Sequence, residues 1–397
     1  MLFGYFDNIQ DPTQQRDYTD LVAEMRERAQ LCDQGGLDIY WVPEHHFSIW
    51  GRELLGNPLM MAADLAARTN RIRLGLGAAI ITFWHPLRLA EDLALLDHLT
   101  GGRLEIGVGR GNYGLEASNL NPLADPNRPE MNLKVFLETL AVVRKALSED
   151  RFSHKGELFE FPAPGFKADR AHTVNDPAYI NPATGELAKL TTYPRPRQRP
   201  HPPMWQMVSE AHDAIRGAAA LDMGIVMWRP SNAEIKLRLG IYKEAHDKAS
   251  GRNIPFGRKT AVVRDTFVAD SEAEARRIAG EACMASLNFS NWRGPKIYLD
   301  PGETLPEDRE AALKKELTYE FVKPRALFFG SPDDVVASIL ELHAETKIDH
   351  LMFKCGWSGL SHEHTMRSLR RLFTEVLPRV RKKLGGTARV ELEAATN

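Results

Sequence analysis

The chain has 397 residues, 43% hydrophobic and 26% charged, with a formal net charge of −2. That is long enough for a sizeable core, while the near-neutral balance leaves no electrostatic footprint for nucleic acid or an anionic membrane surface. No apolar run reaches the length of a membrane span, and Cys32, Cys283 and Cys355 are too few and too scattered for a disulfide framework or a zinc site, so a cytoplasmic, reducing setting is expected.

Leu2 to Phe6 reads as a first buried strand. Residues 17–34 carry helical apolar spacing (Leu21, Met25, Ala29, Cys32) and stop at Gly35-Gly36. Leu37 to Val42 is the second strand, and it opens into Pro43-Glu44-His45-His46-Phe47. A carboxylate and two imidazoles just past a buried strand stand where parallel α/β proteins place their chemistry. Adjacent residues of an extended chain face opposite ways, so only one of His45 and His46 can enter a given pocket. Glu44 and His46 have a plainer reading, as groups that tie down the turn.

Asn57-Pro58 is a helix start, an N-cap with proline at the first helical position, continued by Leu59 to Arg68. Ile72 to Ile81 is the third strand. Within it, the small residues Gly75-Leu76-Gly77-Ala78-Ala79 leave space for a flat ring or for close helix packing. A helix from Pro86 to Leu99 presents Leu89, Leu93 and Leu96 on one face and ends at Gly101-Gly102. Leu104 to Val108 is strand four, and Leu133 to Leu147 the next helix. Residues 109 to 114 match G-x-G-x-x-G, but they follow the fourth strand and run into Pro122, Pro126 and Pro129, which excludes a Rossmann turn. Arg110 in that stretch is either a phosphate clamp or the arginine of a tight surface turn.

Residues 162–203 hold nine of the 24 prolines and read as an irregular insertion. Alternation then resumes with a fifth strand, Met204 to Val208, and a helix capped by Ser209 with Glu210 in its first turn. That helix start is an anion site or an ordinary N-cap. Gly224 to Trp228 is strand six, with a helix from Asn232 to Ala249. Thr260 to Ala269 is strand seven, followed by a capping-box spacing from Ser271 to Glu274. Residues 286–325 form a second, partly helical insertion. A helix starting at Ser331-Pro332, strand eight from Ile348 to Phe353 and a last helix from Ser361 to Arg379 complete the chain. Eight strands, each followed by a helix, give one (β/α)8 TIM barrel over residues 1–397 with insertions at 162–203 and 286–325. No metal site is expected: H-E-x-x-H is absent, and the two histidines of His362-Glu363-His364 do not share a helix face. No G-x-S-x-G elbow of a serine hydrolase occurs either.

Taken in order, these segments resemble the bacterial luciferase-like family of flavin-dependent monooxygenases. The matching pieces are Phe3-Gly4, Glu44-His45-His46-Phe47, Gly56-Asn57-Pro58, Gly77-Ala78-Ala79-Ile80, His85-Pro86, Ala90-Glu91-Asp92, Leu95-Leu96-Asp97, Gly101-Gly102-Arg103 and Gly107-x-x-Arg110-Gly111. In the second half they are Gln198-x-Pro200-His201-Pro202-Pro203-x-Trp205, Ser209-Glu210-Ala211, Phe267-Val268-Ala269 and the end of the last helix, Leu372-Phe373 and Val376-Leu377-Pro378.

The resemblance implies reduced FMN as the cofactor, delivered by a separate NAD(P)H:flavin reductase, with dioxygen as co-substrate. A flavin C4a-(hydro)peroxide would then oxygenate a small apolar organic substrate. A homodimer is expected, with no nucleic-acid or membrane partner. Carried over by position, His45 is the catalytic histidine, and Ala78-Ala79 belong to the segment whose non-proline cis peptide lies against the flavin. Arg110, Gly111 and the Ser209-Glu210-Ala211 helix start form the phosphate site, while Phe6 and Trp228 line the ring pocket. Gly109 stands where the light-emitting luciferase subunit has a reactive cysteine, which argues against bioluminescence. Two alternatives share much of this pattern: a deazaflavin-dependent dehydrogenase of the same superfamily, and a non-catalytic flavin-binding subunit.

Overall fold

The structure, a computed structural model, describes residues 1–167, 176–208 and 211–385. Eight parallel strands close into a barrel: Leu2–Phe6, Ile39–Val42, Arg73–Ile80, Leu104–Gly109, Met204–Val208, Gly224–Trp228, Thr260–Val268 and His350–Lys354. Each pairs with its successor, and the last pairs with the first through Phe3↔Leu351 and Tyr5↔Phe353. These are the eight strands expected from the sequence, with ends that agree to within two residues. They are buried on both faces, which is why they read as continuous apolar runs with no alternation.

Bulky rings facing glycines fill the barrel interior. Trp41 lies edge-on to Trp205 with centroids 6.0 Å apart, and His350 sits 5.9 Å from each. Gly75 faces the Trp41 ring, Gly224 faces Trp205 and Gly4 faces His350. Burial pushes the His350 imidazole down to about 3, so it packs as a neutral ring.

The outer helices follow their apolar stripes. Pro86–Leu99 starts with proline at its first position, buries Leu89, Leu93 and Leu96 against the sheet, and ends before Gly101 and Gly102, both at positive φ. Arg103, next in the chain, donates to the carbonyls of Ala66, Thr69, Ile72 and Thr100, stitching two helix ends to the third strand. Asp97 accepts both the backbone N–H and the side-chain amide of Gln198 at 2.7 Å, anchoring the end of the proline-rich segment. Two short motifs of the sequence, Gly101-Gly102-Arg103 and Gln198-x-Pro200, thus have structural explanations.

Between residues 162 and 203, the described residues form no strand or helix beyond isolated bridges, as the proline density requires. The second insertion is more regular than expected. It contains helices Glu281–Phe289, Glu307–Lys315 and Tyr319–Ala326, then a strand, Leu327–Gly330, that pairs in parallel with Asp265–Val268 of the seventh strand. A separate cluster including Leu287, Tyr298, Phe321 and Trp357 holds this layer together over the C-terminal end of the barrel. A short helix, Gly114–Leu120, was also not anticipated. Its glycine start and single turn or two of polar sequence carry no helical apolar stripe. Among the described residues, no helix is long and apolar enough to cross a membrane.

Candidate active site

The C-terminal ends of the strands surround a pocket of about 250 Å³. Strand periodicity decides what lines its floor. Rows of inward side chains climb each strand two residues at a time, so Gly4 leads to Phe6, Val226 to Trp228, and His350 and Met352 to Lys354. Phe6 and Trp228 meet edge to face at 4.8 Å. Ala78 and Gly109 form a flat wall: a Cβ built on Gly109 would stand 3.2 Å from the Ala78 Cβ. The peptide bond between Gly77 and Ala78 is cis, one residue earlier than the segment singled out in the sequence. Ala79 is fully buried and packs outward in the main core, so of the expected pair only Ala78 lines the pocket.

The loop after the second strand separates its two histidines as the backbone alternation demands. Glu44 is 1% exposed, accepts from the Ile80 N–H at 2.8 Å and the Trp84 indole at 2.9 Å, and pairs with His46 Nε2 at 3.0 Å. Both residues tie down the loop. His45 enters the pocket. Its Nδ1 lies 3.3 Å from Glu116 Oε1 and its Nε2 3.7 Å from Glu53, with the Tyr113 ring 5.5 Å away. Glu116 also accepts the His46 backbone N–H at 2.8 Å, which fixes the carboxylate and hence the imidazole. Burial pushes the His45 proton off, but the Glu53 and Glu116 carboxylates outweigh it and hold the imidazole above its usual range.

After the fourth strand, Arg110 and Gly111 also line the pocket. The Arg110 backbone carbonyl accepts from Thr82 and Asn132, while its guanidinium makes no ion pair with any described residue. Burial lowers its affinity for a proton, though not enough to discharge a guanidinium at neutral pH. Helix His212–Ala220 points its N-terminus at the same region, and Ala211 and Ala214 line the pocket there. The N-cap position falls on Ala211, which offers no side-chain acceptor, so the helix begins later than a Ser209 cap would place it. Ser209 and Glu210 themselves lie outside the described residues. A flat small-residue wall, two aromatic edges and an unpaired cation beside a helix N-terminus fit a planar ring carrying a phosphate, as in FMN.

The sequence reading missed several residues of this pocket. Tyr113 follows the glycine-rich turn, and Glu53 and Arg52 lie in the loop beyond His46; Glu116, on the short helix Gly114–Leu120, acts on the pocket through His45. Arg229 pairs twice with Asp265, and Trp357 donates to the same carboxylate at 2.8 Å. Lys354 closes the eighth strand. A charge ending an otherwise apolar strand was the available signal for it, and the Arg264-Asp265 pair inside an otherwise apolar strand was the signal for Asp265.

Comparisons with known proteins converge on one family. A sequence model of the luciferase-like monooxygenases matches residues 1–350. The oxygenase component of a flavin-dependent trigonelline monooxygenase from Acinetobacter baylyi is 27% identical over 382 residues, 95% of each chain. An alkanal monooxygenase alpha chain from a Kryptophanaron alfredi symbiont is 28% identical over 245 residues, 62% of this chain and 59% of that one. Among solved structures, the oxygenating constituent of 3,6-diketocamphane monooxygenase from Pseudomonas putida, in complex with FMN, superposes with a TM-score of 0.74. It is 20% identical and covers 96% of this chain and 99% of its own. An F420-dependent secondary alcohol dehydrogenase shares the fold at a TM-score of 0.64 and 15% identity, with 96% of this chain and 99% of that one covered. The match along most of the chain, on a barrel with this pocket at its mouth, shows that the chain belongs to the luciferase-like monooxygenase family.

Proposed function

We propose that the protein is the oxygenase component of a two-component monooxygenase that takes up reduced FMN from a separate reductase and transfers one oxygen atom of dioxygen to a small organic substrate. The observation that carries this reading is the convergence of Phe6, His45, Ala78, Arg110 and Trp228 on one pocket. The 27% identical relative, named as an oxygenase component and matched end to end, supports the division of labour with a reductase.

Arg110 and the helix N-terminus at Ala211 would hold the phosphate, Phe6 and Trp228 the ring edges, and Ala78 and Gly109 the ring face. Bound reduced FMN supplies the electrons and activates dioxygen. The Glu53 and Glu116 carboxylates strengthen the hold of His45 on a proton, and its Nε2 would supply that proton to the oxygen atom that leaves as water. The insertion residues Phe289 and Trp292 roof the pocket and restrict water. Exposed Met60, Leu95 and Leu99, on the neighbouring helices Pro58–Ala66 and Pro86–Leu99, support a homodimer.

The deciding experiment is anaerobic titration with reduced FMN and, in parallel, with reduced deazaflavin coenzyme, followed by admission of air. Tight binding of reduced FMN and oxygen uptake on exposure to air support a monooxygenase. Preference for the deazaflavin without oxygen uptake would move the protein to the dehydrogenase branch. Binding of neither would sink the flavin reading.

A further inference from the structure

Besides Arg110, two cationic side chains of this pocket, Lys354 and Arg52, make no ion pair with any described residue. Lys354 is 5% exposed at the top of the eighth strand, yet it makes no hydrogen bond or ion pair with any described residue. Its ammonium lies 6.0 Å from the centre of the Trp228 ring. The nearest carboxylate on the floor, Asp265, is already engaged by two bonds from Arg229 and one from Trp357. Arg52, in the loop after the second strand, lines the same pocket; its Nη1 is buried without a hydrogen-bond partner, and its guanidinium sits 5.3 Å from the Phe289 ring centre. Of the carboxylates that line the pocket, Glu53 faces His45 and Glu44 pairs with His46.

Burying a cation without a partner is costly, and such groups are normally paired. Burial and the neighbouring Arg229 both push the Lys354 ammonium toward losing its proton, with Asp265 and Glu53 opposing. An incoming anion would oppose that push and favour the charged ammonium. Arg110 follows the fourth strand, across the barrel from the eighth strand that carries Lys354, and is assigned to the phosphate of the cofactor. The same pocket has aromatic walls: Tyr113 meets Trp292 edge to face at 5.8 Å, and Phe289 lies under the Arg52 guanidinium.

We propose that Lys354 and Arg52 form an anion subsite for the substrate, and that the substrate is a small carboxylate with an aromatic or otherwise apolar body. This replaces the wholly apolar substrate expected from the sequence, and it rests on the flavin site proposed above. The carboxylate binds without covalent change: Lys354 and Arg52 donate N–H bonds to its oxygens, and the aromatic walls take the body, leaving the oxygenated carbon toward His45.

The test is calorimetric titration of the protein, with and without saturating FMN, using benzoate, nicotinate and phenylacetate against benzamide, nicotinamide and phenylacetamide. At least one acid should bind about tenfold or more tightly than its amide, as charge-assisted hydrogen bonds imply. Lys354→Met and Arg52→Gln should each erase that preference, Lys354→Arg should keep much of it, and FMN affinity should change by less than about twofold. Arg52 lies in a loop, so R52Q carries the test if K354M does not fold. Acids binding no better than amides would overturn the proposal. So would a Lys354→Met variant that loses FMN as strongly as it loses the acids, because the ammonium would then serve the cofactor. Acid preference in a wild-type protein that binds no FMN would leave the anion subsite standing and reject the flavin reading.

Discussion

His45 and Glu116 share a hydrogen bond of 3.3 Å between Nδ1 and Oε1, and the same carboxylate oxygen takes the backbone N–H of His46 at 2.8 Å. One buried glutamate therefore fixes both the ring of His45 and the backbone that carries it. This leaves Nε2 facing the pocket and Glu53. If His45 supplies a proton during oxygen transfer, His45→Ala should lower coupled product formation about 10²- to 10⁴-fold. Reduced FMN should bind nearly as before, because Arg110 and the small-residue wall are untouched. Product yield per FMN oxidised is the measurement; an unchanged yield would remove His45 from the mechanism.

Replacing Glu116 by glutamine tests the electrostatic half of that relationship. The amide oxygen can still accept from His46, so the loop should stay folded. Loss of the negative charge leaves burial less opposed, and the imidazole gives up its proton at lower pH. The alkaline limb of the kcat profile should therefore move to lower pH. The stability sign agrees. A histidine with a raised folded-state value contributes stability that is complete below its unfolded value of about 6.5 and is lost as pH rises through the folded value. Glu116→Gln should flatten that loss between neutral and mildly alkaline pH in urea titrations.

Much of this site was legible because barrel chemistry sits at strand ends, and strand ends are marked by composition. Phe6, His45, Arg110 and Trp228 each follow directly from an apolar run, and all four reach the pocket. Glu116 could not be found that way. It lies beyond a glycine-rich turn on a two-turn helix, and only the three-dimensional return of that helix brings it to His45. The strand Leu327–Gly330 was hidden for a related reason. Its apolar run is four residues long and directly follows a helix, so periodicity alone cannot separate the two. Ala79 shows the opposite failure: a motif gave the segment correctly, but a register shift between Leu76 and Ala79 breaks the strand's alternation and turns that residue into the outer core.

Arg110 offers a cleaner test of the phosphate site than any apolar contact. Its guanidinium has no ionic partner among the described residues, so removing it should cost little stability. Arg110→Ala should weaken FMN binding about ten- to hundredfold, the range of one or two charge-assisted hydrogen bonds. Riboflavin, which lacks the phosphate, should bind the variant and the parent alike. Equal weakening of both ligands, read by fluorescence titration, would show that Arg110 shapes the ring pocket and does not clamp a phosphate.

Two glycines should respond to alanine for different reasons, and the contrast tests how the barrel is filled. At Gly75 the added Cβ would lie 2.3 Å from the Trp41 ring, and Trp41 is fully buried between Trp205 and His350 with nowhere to move. Overpacking of that kind costs about 1–3 kcal/mol or more, and Gly75→Ala should lower the urea midpoint accordingly. At Gly101 nothing stands within 4 Å of the added atom, but φ is +67° where the Pro86–Leu99 helix ends. Gly101→Ala should cost only the left-handed backbone penalty of about 1 kcal/mol. It should leave FMN binding intact, whereas a shifted Trp41 lies beneath Gly77 and Phe6 and should weaken the flavin pocket above it. Equal losses in both variants would mean that the Trp41 layer is not the rigid floor on which the site stands.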